Sequence, residues 1–320
     1  MPNITYQGKA YSGLPDETVL DTMRRNGIEV PFSCRAGDCQ TCMLLCKKGE
    51  ITERSQNKLK PALKSLNYFL ACQCQPEQDI EVSLPDDEDV YISARCVGKQ
   101  QLSPTVWRFQ LETAVPMFYH AGQFVNLKHK AGWVRSYSLA SLPAEDEHLE
   151  IQVRRMPDGQ MSHWLIDEFD VGMHIELEGP NGHCIYTDGQ ADKPILMVGT
   201  GTGLAPLVGI LRDALHQGHS GPIHLYHGTR NPEEIYLHDE LTEIDRQYEN
   251  VHYHACVSGD NVAAGMQAGR ASDIAMQDHP DLKAYRIFLC GLPAMVRGMR
   301  KNAFLAGAAM PNISADAFTK

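Results

Sequence analysis

The sequence of 320 residues has no run of 18 apolar residues and no excess of basic charge. A transmembrane helix needs a run of about that length, so none is expected. Lysine and arginine number 29 against 40 aspartates and glutamates, which gives a formal net charge of -11. Because phosphate binding needs a basic surface, we expect no nucleic-acid partner. An acidic chain is better suited to docking a basic patch on another protein.

The first residues, MPNITYQGKAYSG, also lack the basic and apolar segments of a signal peptide. We therefore expect the chain to work in the cytoplasm, where thiols stay reduced. Ten cysteines in that compartment are expected to be ligands or core residues rather than disulfides. Six of them crowd into one short segment: Cys34, Cys39, Cys42, Cys46, Cys72 and Cys74. This crowding predicts a local site.

The first part of the chain predicts a small mixed unit. Asp16 is the expected N-cap of a short helix that Gly27 ends. The other predicted elements are a hairpin at 3–11, strands at 43–46 and 79–84, a polar helical stretch at 55–66 and a charged linker at 85–89.

The character of the sequence then changes twice. From Tyr91, short β-rich segments separated by turn signals predict a barrel. A helix is expected at 159–169, entered through Gly159. From Asp192, strands alternate with helices, which predicts a parallel sheet covered on both faces.

The spacing Cys34-x4-Cys39-x2-Cys42 is followed by Cys72 after a longer interval. A disulfide framework conflicts with the expected compartment, and a zinc site usually shows two CxxC or CxxH pairs. A plant-type [2Fe–2S] cluster uses the pattern C-x4-C-x2-C…C, and Gly37 allows the tight turn that such a loop needs. The spacing favours the cluster over the other two interpretations.

This segment resembles plant-type ferredoxin domains of the β-grasp fold, and FLACQCQP resembles the stretch that carries their last ligand. The resemblance implies that Cys34, Cys39, Cys42 and Cys72 hold the cluster. Cys46 and Cys74 then have no part in it. In the competing assignment, Cys74 replaces Cys72 as the fourth ligand of the cluster.

Two motifs point to a flavin. In RSYSLAS, Arg135 offers a planar fork for a diphosphate, Tyr137 can lie against a flat ring, and Ser138 offers a hydroxyl. In GQMS, Gly159 permits close approach, and Ser162 opens a helix whose N–H groups favour phosphate.

Together these strings resemble the RxYS and GxxS motifs of the ferredoxin–NADP reductase superfamily, which binds FAD in a small barrel. The resemblance implies that the flavin ring lies over Tyr137 with Ser138 near its reactive nitrogen. The C-terminal SADAFTK resembles members that end in an aromatic residue shielding the flavin; a frayed tail is the alternative. The further FAD-binding candidates are Ser136, Val153, Arg154, Gln160, Met161 and Phe318.

The last part contains GTGTGLAP after a buried strand, and FLCGLPAMV. Leu204 stands where the dinucleotide fingerprint GxGxxG has its third glycine. The strings instead resemble the superfamily's GxGxGxxP and Cys-Gly-x-Pro segments. The implied nicotinamide-binding residues are Gly199, Thr200, Gly201, Thr202, Gly203, Cys290, Gly291 and Pro293. Arg230 could meet a 2′-phosphate, but Glu233 and Glu234 follow it and favour NADH.

The resemblance covers the whole chain as a multidomain α+β and α/β protein. It implies a β-grasp ferredoxin domain (1–88), an antiparallel β-barrel FAD domain (91–190) and a parallel-sheet α/β NAD(P)H domain (191–320). This order resembles the reductase components of multicomponent bacterial oxygenases, and also reductases that serve deoxysugar dehydration.

The implied activity is that of an iron–sulfur flavoprotein oxidoreductase. Hydride passes from NADH to FAD, with Ser138 and Cys290 as the catalytic residues bordering that contact. Single electrons then pass through the cluster to a partner, a Rieske or di-iron terminal oxygenase. The alternatives are a reductase for a deoxysugar dehydratase and a stand-alone NAD(P)H flavin reductase or diaphorase.

Overall fold

The computed structural model describes residues 2–85 and 90–318. Its first unit is a β-grasp with strand order β2-β1-β5-β3-β4, in which β1 and β5 run parallel. Its elements are β1 (Asn3–Tyr6), β2 (Lys9–Ser12), α1 (Val19–Arg25), β3 (Met43–Lys48), α2 (Pro61–Ser65), β4 (Tyr68–Leu70) and β5 (Ile80–Ser83). The predicted hairpin, helix and strands are all confirmed.

Two local predictions in this unit are wrong. The N-cap of α1 is Thr18, whose hydroxyl accepts from the Asp21 N–H while the Asp21 carboxylate accepts from the Thr18 N–H. Asp16 has φ +63°, and an N-cap needs extended backbone. The polar stretch at 55–66 is not one helix, because Pro61 disfavours a helical conformation in the residue before it. Most of the predicted linker, 86–89, lies outside the described residues.

The second unit is an antiparallel barrel with strand order β10-β7-β6-β11-β8-β9. An antiparallel bridge between Leu139 and Ile151 brings the two outer strands together. The elements are β6 (Ile92–Ser103), β7 (Val106–Thr113), β8 (Phe124–Lys128), β9 (Val134–Ser138), β10 (Leu149–Arg154), α3 (Gln160–Asp167) and β11 (His174–Asn181). Strand β11 was not predicted, although Ile175 and Leu177 alternate with polar residues at its start.

The third unit is a parallel sheet with strand order β15-β14-β13-β12-β16-β17. Its elements are β12 (Ile195–Thr200), α4 (Leu204–His216), β13 (Ile223–Thr229), α5 (His238–Gln247), β14 (Val251–Val257), β15 (Gln267–Ala268), α6 (Ala271–Asp278), β16 (Arg286–Gly291), α7 (Pro293–Leu305) and β17 (Ile313–Ala317). Chain order reverses between β12 and β16. Ligands of open α/β sheets bind at the carboxyl ends of the strands at such a point.

The barrel packs directly on α4 of the third unit. A Cβ atom at Gly122 would lie 2.6 Å from Cγ1 of Ile210, so only glycine permits this approach. Nearby, the Arg212 guanidinium pairs with Asp146 at 2.7 Å. Within the described residues, no helix has both the length and the apolar character needed to cross a membrane.

Candidate functional site

The cysteine loop before β3 curls so that its N–H groups point at sulfur. Arg35 and Gly37 have φ of +54° and +80°, and this left-handed backbone turns the peptide planes inward. The N–H groups of Ala36 and Cys39 each lie 3.3 Å from the Cys34 sulfur. N–H groups aimed at sulfur stabilise a thiolate ligand and tune the potential of a cluster.

The four predicted ligands meet as two pairs of thiols. Cys39 and Cys34 share one hydrogen bond between their side chains, and Cys42 and Cys72 share another. In the part of the chain that the structure describes, no three His, Cys, Asp or Glu side chains are arranged to hold one metal ion. Two neighbouring pairs of thiols suit the two irons of a [2Fe–2S] centre.

Hydrogen bonding also favours the thiolate form of one cysteine in each pair. The bond from Cys39 and the surrounding N–H groups lower the pKa of Cys34 to about 5. The bond from Cys42, together with Gln73, lowers the pKa of Cys72 to about 7. Metal ligation requires deprotonated sulfur, so these donors suit a cluster.

The two remaining cysteines of the segment lie away from the loop. Cys74 is fully buried, beside Thr52 and Ser55. Burial raises the pKa of Cys74 and of its neighbour Cys46. Cys72, by contrast, faces Cys42 in the cysteine loop. Of the two candidates for the fourth ligand, only Cys72 therefore lies beside another predicted ligand.

The RSYS motif forms β9, against β8. Arg135 is exposed, and its guanidinium donates to the carbonyl of Val134 at 2.8 Å. Tyr137 is half-buried, whereas Ser138 is buried opposite Phe124. An exposed guanidinium and a neighbouring phenol ring suit the diphosphate and the flavin ring of FAD.

Helix α3 begins as the GQMS string predicts. Gly159 is its N-cap and provides no side-chain hydrogen bond, so the first N–H groups of the helix lack a capping side chain. A Cβ at Gly159 would lie 2.5 Å from the Ser162 hydroxyl, which itself donates to the Gly159 carbonyl. Gln160 is exposed and Met161 buried. The uncapped helix end fits a diphosphate.

The two predicted nicotinamide segments interlock at the ends of β12 and β16. A Cβ at Gly203 would lie 2.2 Å from the Cys290 carbonyl oxygen. A Cβ at Gly291, whose φ is +120°, would lie 2.5 Å from the Thr200 hydroxyl, and that hydroxyl accepts from the Leu292 N–H at 3.0 Å. Gly199 lies under Leu207, whose Cδ1 would be 2.8 Å from an added Cβ. Thr202 is half-buried within this turn, and Pro293 starts α7.

The side chain of Cys290 points inward. Its sulfur lies 3.8 Å from that of Cys184, and this contact with burial raises the pKa of Cys290 well above its usual value. The C-terminal segment is a strand beside it, and the Phe318 N–H donates to the Gly291 carbonyl at 2.8 Å. The backbone is therefore hydrogen-bonded to the sheet as far as Phe318, whereas a frayed C-terminal tail would not be.

The remaining candidates lie where the barrel meets the third unit. Val153 is buried in β10, and Arg154 pairs with Glu234 at 3.0 Å. The other oxygen of Glu234 accepts from the N–H of Arg230, whose side chain is exposed. Arg154 also faces the glycine turn, since its Nη1 lies 3.4 Å from a Cβ built on Gly201.

Sequence reasoning missed a buried polar group between the barrel and the cysteine loop. Asn126 of β8 donates to the Cys39 carbonyl at 3.0 Å and to Glu178 at 2.8 Å. Ser136 of the RSYS motif donates to the Asn126 oxygen at 2.7 Å. Asn126 looks like an ordinary strand residue in the sequence, because its partners are distant along the chain.

Three family models match consecutive stretches of the chain. They describe a 2Fe-2S iron-sulfur cluster binding domain (residues 4–77), an oxidoreductase FAD-binding domain (93–186) and an oxidoreductase NAD-binding domain (197–301). The fold and these domains define an NAD(P)H-dependent iron–sulfur flavoprotein oxidoreductase, with a [2Fe–2S] cluster, FAD and NAD(P)H as its cofactors.

Relatives match almost end to end. The reductase component of the naphthalene 1,2-dioxygenase/salicylate 5-hydroxylase systems of Ralstonia sp. is 31% identical, over 94% of this chain and 93% of the relative. An aromatic O-demethylase reductase subunit from Amycolatopsis is 32% identical, over 92% and 91%. The crystal structure of an Amycolatopsis cytochrome P450 reductase has a TM-score of 0.72, 30% identity and coverage of 100% and 99%. The chain belongs to the family of ferredoxin–NAD(P)+ reductase components of oxygenase systems.

Proposed function

We propose that this reductase takes hydride from NADH and delivers single electrons to a terminal oxygenase. The observation that carries this proposal is the meeting of four thiols in two pairs within a chain that resembles reductase components of dioxygenase systems over more than nine-tenths of its length. When bound, FAD accepts two electrons as hydride and the cluster carries one electron at a time.

The residues of the chain would divide the work as follows. Cys34, Cys39, Cys42 and Cys72 would hold the cluster. Tyr137 and Ser138 would orient the flavin ring, while Arg135 and the start of α3 would hold its diphosphate. The interlocked turns at Gly203 and Gly291 would receive the nicotinamide and exclude water beside Ser138 and Cys290. We propose units of 1–88, 91–190 and 191–320 for these roles.

We propose NADH rather than NADPH as the donor. Glu233 is exposed beside Arg230, and a carboxylate there can accept from a free 2′-hydroxyl but repels a 2′-phosphate. The proposed compartment is the cytoplasm, which keeps thiol ligands reduced. The net charge of -11 suits docking to a basic surface of the partner.

The test compares acceptors. The purified chain is supplied with NADH or NADPH and with a Rieske oxygenase and its ferredoxin, a di-iron oxygenase or a cytochrome P450, and product formation is measured. We expect NADH-driven product with an oxygenase and none with Cys39→Ser, which still reduces ferricyanide. Equal partner turnover by Cys39→Ser would contradict electron delivery through the cluster.

A further inference from the structure

A short hydrogen-bonded chain joins the proposed flavin strand to the proposed cluster loop. It runs from the Ser136 hydroxyl to the Asn126 amide oxygen, at 2.7 Å, and from the Asn126 amide nitrogen to the Cys39 carbonyl, at 3.0 Å. Ser136 directly precedes Tyr137 in β9. Asn126 of β8 is the residue paired with Ser136 across the two strands. One side chain therefore spans the space between the barrel and a predicted cluster ligand.

The chemistry of its neighbours fixes the orientation of the Asn126 amide. The Cys39 carbonyl can only accept, so the NH2 group of Asn126 must face it, and the same group donates to Glu178. The hydroxyl of Ser136 is then left to donate to the amide oxygen. Both donors and the acceptor of Asn126 are used.

The connection is buried at Asn126 and Cys39, and half-buried at Ser136. Asn126 is 2% exposed and Cys39 is 9% exposed. A hydrogen bond buried in this way is costly to break, because opening it leaves polar groups without water. Lys60, from the first unit, adds a second bond to the same region by donating to the Gly179 carbonyl at 2.9 Å.

We propose that Asn126 is a positioning residue that fixes the cluster loop against the flavin-binding strand and so sets the rate of electron transfer between the two cofactors. The inference rests on the proposed ligand assignment. Each transfer moves one electron from reduced flavin to oxidised cluster. The two electrons of one hydride therefore need two transfers, with the cluster reoxidised by the electron-accepting partner between them, and the proton of the hydride is released to solvent.

Asn181 provides a matched control. It is 3% exposed and donates to the same Glu178 oxygen as Asn126, at the same 2.8 Å. Of these two asparagines, in the contacts of the described residues, only Asn126 also donates to the Cys39 carbonyl. Asn126→Ala and Asn181→Ala thus remove similar buried amides from one network, but only the first cuts the connection to the cluster loop.

The experiment is anaerobic stopped-flow reduction of the loaded full-length protein by NADH, followed at flavin and cluster wavelengths. Amide hydrogen exchange of residues 34–42 is measured in parallel. For Asn126→Ala we expect flavin reduction within about twofold of wild type, cluster reduction slowed at least about tenfold, and faster exchange in the loop. Asn181→Ala should keep cluster reduction within about twofold.

Equal slowing in both variants, or unchanged cluster reduction in Asn126→Ala, would overturn the inference. Should Asn126→Ala lose its cluster or fail to fold, Asn126→Asp is measured with Asn181→Asp as its control, against the same criteria. A wild-type protein that binds no cluster would refute the proposed function instead, so the two failures are distinguishable.

Discussion

The α-carbon of Gly203 lies so close to Cys290 that a Cβ atom there would be 2.2 Å from the Cys290 carbonyl oxygen and 2.5 Å from its carbonyl carbon. The glycine turn after β12 and the end of β16 are therefore in backbone contact. Neither atom of this contact belongs to a flexible side chain, so the contact cannot relax by a rotamer change.

We accordingly expect Gly203→Ala to destabilise the third unit by about 1–3 kcal/mol and to slow flavin reduction by NADH. Gly298 is the control, because it lies within α7 with open space where a Cβ would stand. Gly298→Ala should stabilise the protein by about 0.5–1 kcal/mol, since alanine favours a helix interior. Thermal unfolding and stopped-flow reduction measure both effects. Equal midpoints for the two variants would contradict the packing argument.

The surroundings of Cys72 and Cys74 predict different consequences of the same substitution. Cys72→Ser should abolish the visible absorption of the cluster and the electron paramagnetic resonance signal of the reduced protein. Cys74→Ser should retain both and lower the thermal midpoint, because it changes a buried core thiol. Iron content per chain provides the independent measurement. Cluster loss in Cys74→Ser with retention in Cys72→Ser would reverse the ligand assignment.

Arg135 should contribute to FAD affinity rather than to stability. In the described part of the chain no carboxylate pairs with it, so its guanidinium is available to a diphosphate. Loss of charge-assisted hydrogen bonds costs about 1.5–3 kcal/mol, so Arg135→Ala should weaken FAD binding by about ten- to a hundredfold. Arg95→Ala, which breaks a surface pair with Glu112 on the same barrel, should leave it within about twofold. Fluorescence titration of the FAD-free protein measures both.

Acid should destabilise the protein through a buried histidine. His227 is fully buried at 3.2 Å from the Gly201 carbonyl, and burial lowers its pKa to about 4 from 6.5. The unfolded chain therefore binds a proton that the folded chain refuses between these pH values. Stability is fully present above pH 6.5 and falls by up to about 3 kcal/mol as the pH drops towards 4.

Thermal midpoints measured from pH 7.5 to 4.5 test whether stability falls on acidification as predicted. His227→Gln, which can still donate towards Gly201 but does not titrate, should show a shallower loss on acidification. Parallel curves for the two proteins would mean that other groups cause the acid sensitivity. His224, whose pKa burial also lowers to about 4, adds to the wild-type loss in the same direction.

Local patterns predicted most of the elements because their causes are local. Helix α7, one of the helices expected after Asp192, begins at Pro293 and ends at Leu305, since proline favours a first turn and the apolar spacing is helical. Strand β17 and helix α6 escaped prediction, because β17 is defined by pairing with β16 and α6 by packing against the sheet. The N-cap was misplaced by two residues, since both Asp16 and Thr18 are acceptable caps until backbone geometry is known.

The sequence by itself determined the cofactor set, because the cysteine spacing, RSYS with GQMS, and GTGTG with CGLP are each confined to a few residues. Tertiary structure decided what those motifs face. It set Cys72 towards Cys42 and Cys74 away from it, closed Gly203 onto Cys290, and placed Asn126 between Ser136 and Cys39. The physical reason is that a motif fixes chemistry within a turn or two of backbone, whereas contacts between sheets depend on packing that distant parts of the chain create together.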